Sequence, residues 1–393
     1  MFKRVLLALL LLGSALTPSV PVPARADSPP RIVLVAHITD EHIEPAFPVH
    51  FERLKMVLDR VKTIRPDLLI STGDHTTYND APSYNLFNQA FRDVGGFVKF
   101  PADPANTAGI PFVPVAGNHD NWILCPHDDY LTMRSYTIGD YRFIGFSNDL
   151  RCDYPEDLLE TEMRKSCEDG RMIVVYHHYP PHGWKGEPGL EVDAVTWRRF
   201  SDLMKRYPVV AYLAGHTHAF RTEVIDSEYV AHTAGRTGVG VFGLYALNDN
   251  RINHAAITGY TPVIITYPHQ YYQGMEYSRS KAEILNVQAY VRTQVGAIRS
   301  VHYRLDNGPN VPMTRVGDTD YFEAALDAPA LLGEHQIEVQ VANTLGSWAQ
   351  GAHTISVYFA DSVPERASPG CDATPRPTYK VYLPLLHVSA EVP

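Results

Sequence analysis

The stretch YPVVAYLAGHTH, residues 207–218, places an apolar run (Pro208 to Leu213) in front of Gly215 and two histidines one residue apart. A short Val-rich run that stops at a glycine reads as a core strand and its terminating loop. Side chains at i and i+2 of an extended segment project to the same side, so His216 and His218 form a pair of neutral imidazoles suited to an ion such as zinc or iron. One such pair is weak evidence by itself. Its meaning depends on whether other strand ends carry residues of the same kind.

They do. RIVLVAHIT, DLLIST, IPFVPVAG and RMIVVYHH are also short runs rich in Val and Ile. Asp40-Glu41-His42 follows the first, Gly73-Asp74 the second and Gly117-Asn118-His119-Asp120 the third, while His178-Tyr179-Pro180 closes the fourth. Between the runs, FERLKMVLDRVKTI and AVTWRRFSDLMKRY repeat apolar residues at three- and four-residue intervals, the spacing of helices laid on a core. The predicted class is therefore α/β. YTIGDYRFIGFSND reads as a hairpin turning at Gly139-Asp140, and RTEVID, YVAHTAG and VGVFGLYAL add further strands, so the sheets should be mixed. Open α/β sheets build their sites outside the carboxyl ends of strands, where ligands nearly 180 residues apart can meet.

Past residue 262 the pattern changes. LNVQAYV alternates Leu285, Val287, Ala289 and Val291, QIEVQVAN alternates Ile337, Val339 and Val341, and Asp306-Asn307-Gly308 supplies a turn between strands. No helical period intervenes, which predicts a small all-β sandwich of immunoglobulin or fibronectin-III type over 263–361, with a leading connector. Residues 362–393 are a Pro/Ser-rich linker and a short apolar tail, read either as a final strand or as a surface-attachment signal.

Residues 1–26 have a basic start (Lys3, Arg4), an apolar run too short to span a bilayer, and Ala24-Arg25-Ala26 as a cleavage site. This is the pattern of a signal peptide, and it predicts a secreted or extracytoplasmic protein without a transmembrane helix in the mature chain. The chain of 393 residues has 34 basic and 44 acidic side chains; losing Lys3, Arg4 and Arg25 moves the formal charge from −10 to −13. Such an acidic balance argues against binding a nucleic-acid polymer, but not against a small phosphate ester, because bound cations would dominate the field inside a site. An exported chain permits disulfides, and among Cys125, Cys152, Cys167 and Cys371 a local Cys152–Cys167 bridge is the expected one.

Taken in order, D-x-H, G-D, G-N-H-D, H-x-P and G-H-x-H resemble the motifs of the calcineurin-like metallophosphoesterases, over about residues 35–260. The resemblance implies a four-layer α/β/β/α sandwich with a two-metal centre. It implies that Asp40, His42 and His218 bind one divalent ion, that Asn118, His178 and His216 bind the other, and that Asp74 bridges them. Zinc, manganese and iron all suit this mixture of imidazole, carboxylate and amide. The implied chemistry is hydrolysis of a phosphoric ester, mono- or diester, by a hydroxide shared between the ions. His119 is the candidate to protonate the leaving group, and Asp120 is expected to orient it. Purple acid phosphatases in this family have a ligating tyrosine three residues after the bridging aspartate; here that position is Thr77, with Tyr78 next, so a ferric tyrosinate is not expected. From TPVIITYPHQ onward the chain more loosely resembles eukaryotic membrane metallophosphoesterases with an Ig-like domain, although their membrane spans do not follow here.

Taken singly, His37, His75, His127, His177 and His182 read as packed or surface side chains. The H-x-P pattern favours His178 over His177 as the ligand, since successive residues of a strand face opposite ways. Residues 122–165, PPHGWKGEPG (180–189), Arg221 and Arg236 are candidates for the substrate rim, each balanced by the plain reading of a solvated loop. The competing functional reading is a surface adhesion or ligand-binding protein whose metal site is structural.

Overall fold

Successive residues of the first strand, β1 (Val33–Ile38), feed two different cores, and this alternation sets the layering. Val33 and Val35 point to one side, into a core shared by both large sheets; Leu34, Ala36 and Ile38 point to the other, under helices. The computed structural model describes residues 31–99, 109–120, 133–147, 156–183, 186, 189–190, 194–226, 228–273, 279–280, 286–326, 332–360 and 371.

β1 lies at the middle of a six-stranded sheet ordered β12-β11-β1-β2-β4-β3, made with β2 (Leu68–Ser71), β3 (Val98–Lys99), β4 (Ile110–Pro114), β11 (Phe242–Asn248) and β12 (Arg251–Ile257). The second six-stranded sheet is ordered β5-β6-β7-β8-β10-β9, with β5 (Met133–Ile138), β6 (Tyr141–Phe146), β7 (Met172–Tyr176), β8 (Val209–Ala214), β9 (Arg221–Ile225) and β10 (Tyr229–Thr233). β1, β2 and β4 run parallel, as do β6, β7, β8 and β10, whereas β11, β12, β5 and β9 pair antiparallel. The sheets are therefore mixed, and β5–β6 is the hairpin about Gly139-Asp140.

Helices α1 (Pro48–Ile64) and α2 (Ala81–Asp93) cover the outer face of the first sheet. α1 buries Leu54, Val57, Leu58, Val61 and Ile64, one stripe of the helical period, and has Pro48 in its first turn. α2 starts at Asp80, whose side chain accepts from the Ser83 N–H at 2.8 Å. Helices α3 (Glu156–Glu168) and α4 (Ala194–Arg206) cover the second sheet with Leu159, Met163, Phe200, Leu203 and Met204. The layers thus run α/β/β/α.

β13 (Val263–Tyr267) joins β15 (Asn286–Val291), β18 (Thr314–Arg315) and β19 (Tyr321–Ala325) in a four-stranded sheet. β14 (Arg279–Ser280), β16 (Ile298–Leu305), β17 (Val311–Pro312), β20 (Gly333–Asn343) and β21 (Gly351–Ala360) form a five-stranded one. Val287, Ala289 and Val291 from the former meet Ile337, Val339 and Val341 from the latter in a single core, a small β-sandwich; Leu285 lies outside the described residues. The sandwich seats on α1, where the Tyr290 hydroxyl donates to the Ile64 carbonyl and the Gln294 amide donates to Asp59 at 3.0 Å.

The disulfide differs from the expected one. Cys167, at the end of α3, is bonded to Cys371, 204 residues later, and not to Cys152. Sequence proximity favoured a local bridge, but pairing follows the approach of two Cα atoms, here 5.8 Å apart. Cys125 and Cys152 lie outside the described residues, as do 1–26 and, apart from Cys371, 362–393. Among the described residues no helix is long and apolar enough to cross a membrane.

Candidate metal centre

The carboxyl ends of β1, β2, β4, β7 and β8 open at one end of the two sheets, and the loops that leave them carry the ligand-type residues. These loops interlock through glycines. A Cβ at Gly73 would stand 2.1 Å from the Gly117 nitrogen, one at Gly117 would stand 2.3 Å from Asp74 Oδ1, and one at Gly215 would stand 1.9 Å from Thr39 Oγ1. Each glycine immediately precedes a ligand-type residue because the loops cross closer than any side chain allows.

Five residues of the set adopt the left-handed conformation that L side chains avoid: Asp40 (φ 53°), His42 (48°), Asp74 (56°), His216 (68°) and His218 (56°). Such backbone costs of order 1 kcal/mol or more per residue and collects where a site over-determines it. Here it is anchored by backbone bonds between loops. Asp40 N–H donates to Gly73 O at 2.9 Å, His42 N–H to Asp74 O at 2.9 Å, and Gly215 N–H to His178 O at 3.0 Å.

Three overlapping donor groups result: Asp40, His42 and His218; Asp74, His178 and His216; and His42, Asp74 and His119. His218 Nε2 is 3.3 Å from Asp40 Oδ1 and 3.2 Å from His42 Nε2. On the other side, Asn118 Oδ1 lies 2.9 Å from His178 Nε2 and 3.1 Å from His216 Nδ1. Asp74 Oδ2 stands between the groups, 3.3 Å from His178 Nε2 and 3.7 Å from His42 Nε2. Asp40, His42, Asp74, Asn118, His178, His216 and His218 are thus gathered at one place.

The chemistry of this donor set fits two divalent ions. Burial holds His42 and His216 down at about 4, so both are neutral, lone-pair-bearing imidazoles at pH 7. For His178 burial acts the same way, but the charges of Asp74 and Asp40 outweigh it and push the ring up to about 9; the proton stands where a cation would neutralise the same carboxylates. Asp40 is also opposed by burial, yet the His218 bond and the neighbouring imidazoles hold its carboxyl well below the usual range. The surrounding bonds orient the ligands. His178 Nδ1 donates to the Thr72 carbonyl at 2.8 Å, leaving Nε2 aimed inward, and Asp40 Oδ2 accepts from Thr39 Oγ1 at 2.8 Å and the His216 N–H at 3.0 Å.

His119 sits on the rim, its side chain 30% exposed, with Nε2 4.0 Å from Asp74 Oδ2. Its Nδ1 is bonded to the Thr77 carbonyl at 3.0 Å. Asp120 was expected to hold this ring, and the structure assigns it elsewhere. Its carboxylate pairs with His75 Nδ1 at 2.9 Å and accepts from the His75 and Gly117 amides at 2.9 and 3.0 Å, tying the β2 and β4 loops together. Burial opposes charge on His75, but Asp120 raises it to about 9. A D following H in sequence does not reveal this, because Asp120 turns inward while His119 turns out.

The remaining histidines divide by packing. His177 is buried against Phe146, ring centres 4.3 Å apart, facing away from the ligands; His37 bonds Thr72 Oγ1 at 2.8 Å; His182 pairs with Glu223 at 3.0 Å; His127 is outside the described residues. Thr77 Oγ1 donates to Glu44 at 3.0 Å and to the His42 carbonyl at 3.1 Å, and Tyr78 is exposed. Of the candidate rim, Arg221 is paired with Glu223, and within 122–165 residues 122–132 and 148–155 lie outside the described residues while 133–147 and 156–165 form β5, β6 and the start of α3. Thr72 and His50 were not singled out from sequence, and Thr77 was noted only as standing where a ligating tyrosine would be; Thr72 and Thr77 act through backbone carbonyls, which leave no trace in residue type.

The calcineurin-like phosphoesterase family model matches residues 33–220. No curated protein matches the chain. Among solved structures, a dimetal phosphatase from Danio rerio is 10% identical, with 57% of this chain and 98% of that chain covered and a TM-score of 0.40. A 5'-nucleotidase from Candida albicans is 14% identical, with 57% and 51% covered and a TM-score of 0.35, and a phosphatase from Mycoplasma pneumoniae is 10% identical, with 58% and 93% covered and a TM-score of 0.36.

Proposed function

Because residues 33–220 place the chain in the calcineurin-like phosphoesterase family, and so make it a metal-dependent phosphoesterase that takes two divalent ions, we propose that it is an exported hydrolase of small phosphoric esters. The observation that carries this reading is the gathering of seven ligand-type side chains from five strand ends, with His119 held at their rim. Export is supported by the leader-like sequence of residues 1–26 and by the Cys167–Cys371 bridge, which suits an oxidising compartment.

When bound, two such ions supply a nucleophilic oxygen at neutral pH and offset charge on the phosphoryl group. The chain's own side chains do the rest. Asp40, His42 and His218 would hold one ion, Asn118, His178 and His216 would hold the other, and Asp74, which faces both groups, would serve the two. With Nδ1 bonded to the Thr77 carbonyl, His119 presents Nε2 to the cleft, and a proton at Nε2 is placed to pass to the departing oxygen. The amide of Asn118 contributes an oxygen without charge, leaving the site electrophilic.

The test is direct. The mature chain is purified, its metal content measured, and nitrophenol release followed from 4-nitrophenyl phosphate, bis(4-nitrophenyl) phosphate and a nucleotide panel, with and without chelator. Chelator-sensitive turnover is expected. Two bound ions with no turnover on any ester would instead favour a binding protein with a structural metal site. N-terminal sequencing of secreted protein should begin at Asp27; an intact Met1 outside the cytoplasm would refute cleavage after Ala26.

A further inference from the structure

Arg236 stands beside the ligand loops without a carboxylate partner among the described residues, in a turn whose Gly238 carbonyl also accepts from Arg53 at 3.2 Å. The Arg236 Nε is buried and has no hydrogen-bond partner among the described residues, and none of their carboxylates pairs with it. Among the described residues its guanidinium meets His50, Nη2 to Nε2 at 3.5 Å. Arg221, by contrast, is neutralised by Glu223. A half-buried guanidinium without an anion has lost hydration without replacement, an arrangement that a charged ligand would relieve.

Its position is set by the ligand loops. Residues 237 and 238 donate to Thr39 O at 2.8 Å and Asp40 O at 3.4 Å, so the turn beginning at Arg236 abuts the loop of Asp40 and His42. His50 reaches the same loop from α1, its Nδ1 donating to the His42 carbonyl at 3.0 Å, which leaves Nε2 as acceptor for the guanidinium. On the other flank Gly235 lies under the Phe220 ring, where a Cβ would stand 2.7 Å from the ring edge, and Phe220 follows His218 by two residues. His50 in turn stacks on Phe47, centroids 6.0 Å apart at 21°. Phe47 and Phe220 are exposed, 54% and 38%. The result is a continuous rim beside the Asp40, His42 and His218 group, with the Arg236 guanidinium, unpaired by any described carboxylate, between two exposed aromatic rings.

We propose that this rim is the subsite for the organic part of the substrate, and that the substrate class is a phosphoric ester bearing a flat ring and a second anionic group, the ring against Phe47 or Phe220 and the anion on Arg236. This rests on the phosphoesterase reading of the adjacent centre. Aromatic faces bind rings of any sequence or substitution, and the guanidinium fork accepts phosphate or carboxylate oxygens alike.

Non-hydrolysable ligands separate the parts. Calorimetry on the manganese-loaded full chain compares methylphosphonate, phenylphosphonate, and the 3- and 4-carboxyphenylphosphonates. Phenylphosphonate should bind at least fivefold tighter than methylphosphonate, and one carboxyphenyl isomer at least fivefold tighter again. Phe220→Ala should shrink the first preference. Arg236→Gln should abolish the second, and Arg236→Lys should retain part of it, with melting temperatures checked for all three. Equal binding of all four ligands by the parent chain, or a carboxylate preference that survives Arg236→Gln, overturns the subsite while leaving the phosphoesterase reading intact. Failure of every phosphonate to bind the loaded chain removes both.

Discussion

Gly215→Ala probes whether close packing of the ligand loops sets the metal geometry. The new Cβ would fall 1.9 Å from Thr39 Oγ1 and 2.8 Å from Asp40 Oδ2. Contact distance is about 3.5 Å, so the two loops must part by roughly 1.5 Å. Thr39 has no free rotamer to give: it is fully buried, its N–H donates to Thr237 Oγ1 at 3.0 Å, and its own hydroxyl donates to Asp40 at 2.8 Å. Overpacking of this kind costs about 1–3 kcal/mol, and losing a bond to a charged carboxylate adds about 1.5–3. The expected sum is about 2.5–6 kcal/mol, concentrated on Asp40. The purified variant should melt several degrees lower and hold close to one ion per chain where the parent holds two, measured by elemental analysis after gel filtration. Thr39→Ala in the same chain removes the 1.9 Å clash and should restore part of the second ion. Retention of both ions and full turnover by Gly215→Ala alone would show that the loops are pliable, and the packing argument for the ligand geometry would fail.

His119→Ala should lower turnover by about 10²–10⁴ on esters with poor leaving groups while leaving metal content near that of the parent; full activity on such esters would remove it as proton donor. Asp74→Ala should deplete both ions, since Asp74 faces both donor groups; a variant that keeps two ions would show that it does not span them. Burial holds His37 at about 3 and His353 at about 4, so their contribution is complete above pH 6.5 and lost as pH falls below it, about 2 kcal/mol for His37 at pH 5. His75 acts in the opposite sense, stabilising below pH 6.5 and losing its effect as pH rises through about 9, and burial of Glu41, raised to about 8, adds a cost above pH 4.5. Thermal melts should therefore peak near neutrality, and a melting temperature that is flat from pH 5 to 9 would contradict these burials. Cys167→Ser should lower stability by about 2–5 kcal/mol, because the bridge closes a span of 204 residues; an unchanged denaturation midpoint would mean that the bridge constrains little.

The local sequence determined which segments become strands, which helices shield them, and which residue types stand at the strand ends. Each of these is carried by a short-range regularity: Val and Ile runs for β1, β2, β4, β7 and β8, a helical stripe in α1, and ligand types next to glycine. The seven ligand-type residues that gather at the strand ends, and His119 beside them, could be singled out in the sequence because metal-ligand chemistry restricts residue type. What only the tertiary structure decided is the partner of each group. Asp120 follows His119 in sequence but turns to His75; Cys167 passes over a near neighbour for Cys371; His178 and His119 are aimed by carbonyls of Thr72 and Thr77; and Arg236 meets His50 from 186 residues away. Strand and helix follow periods of two to four residues, whereas pairing of side chains depends on where distant loops cross. Here those crossings occur at glycines too close-packed to admit a Cβ, a constraint that exists only once both sheets have formed.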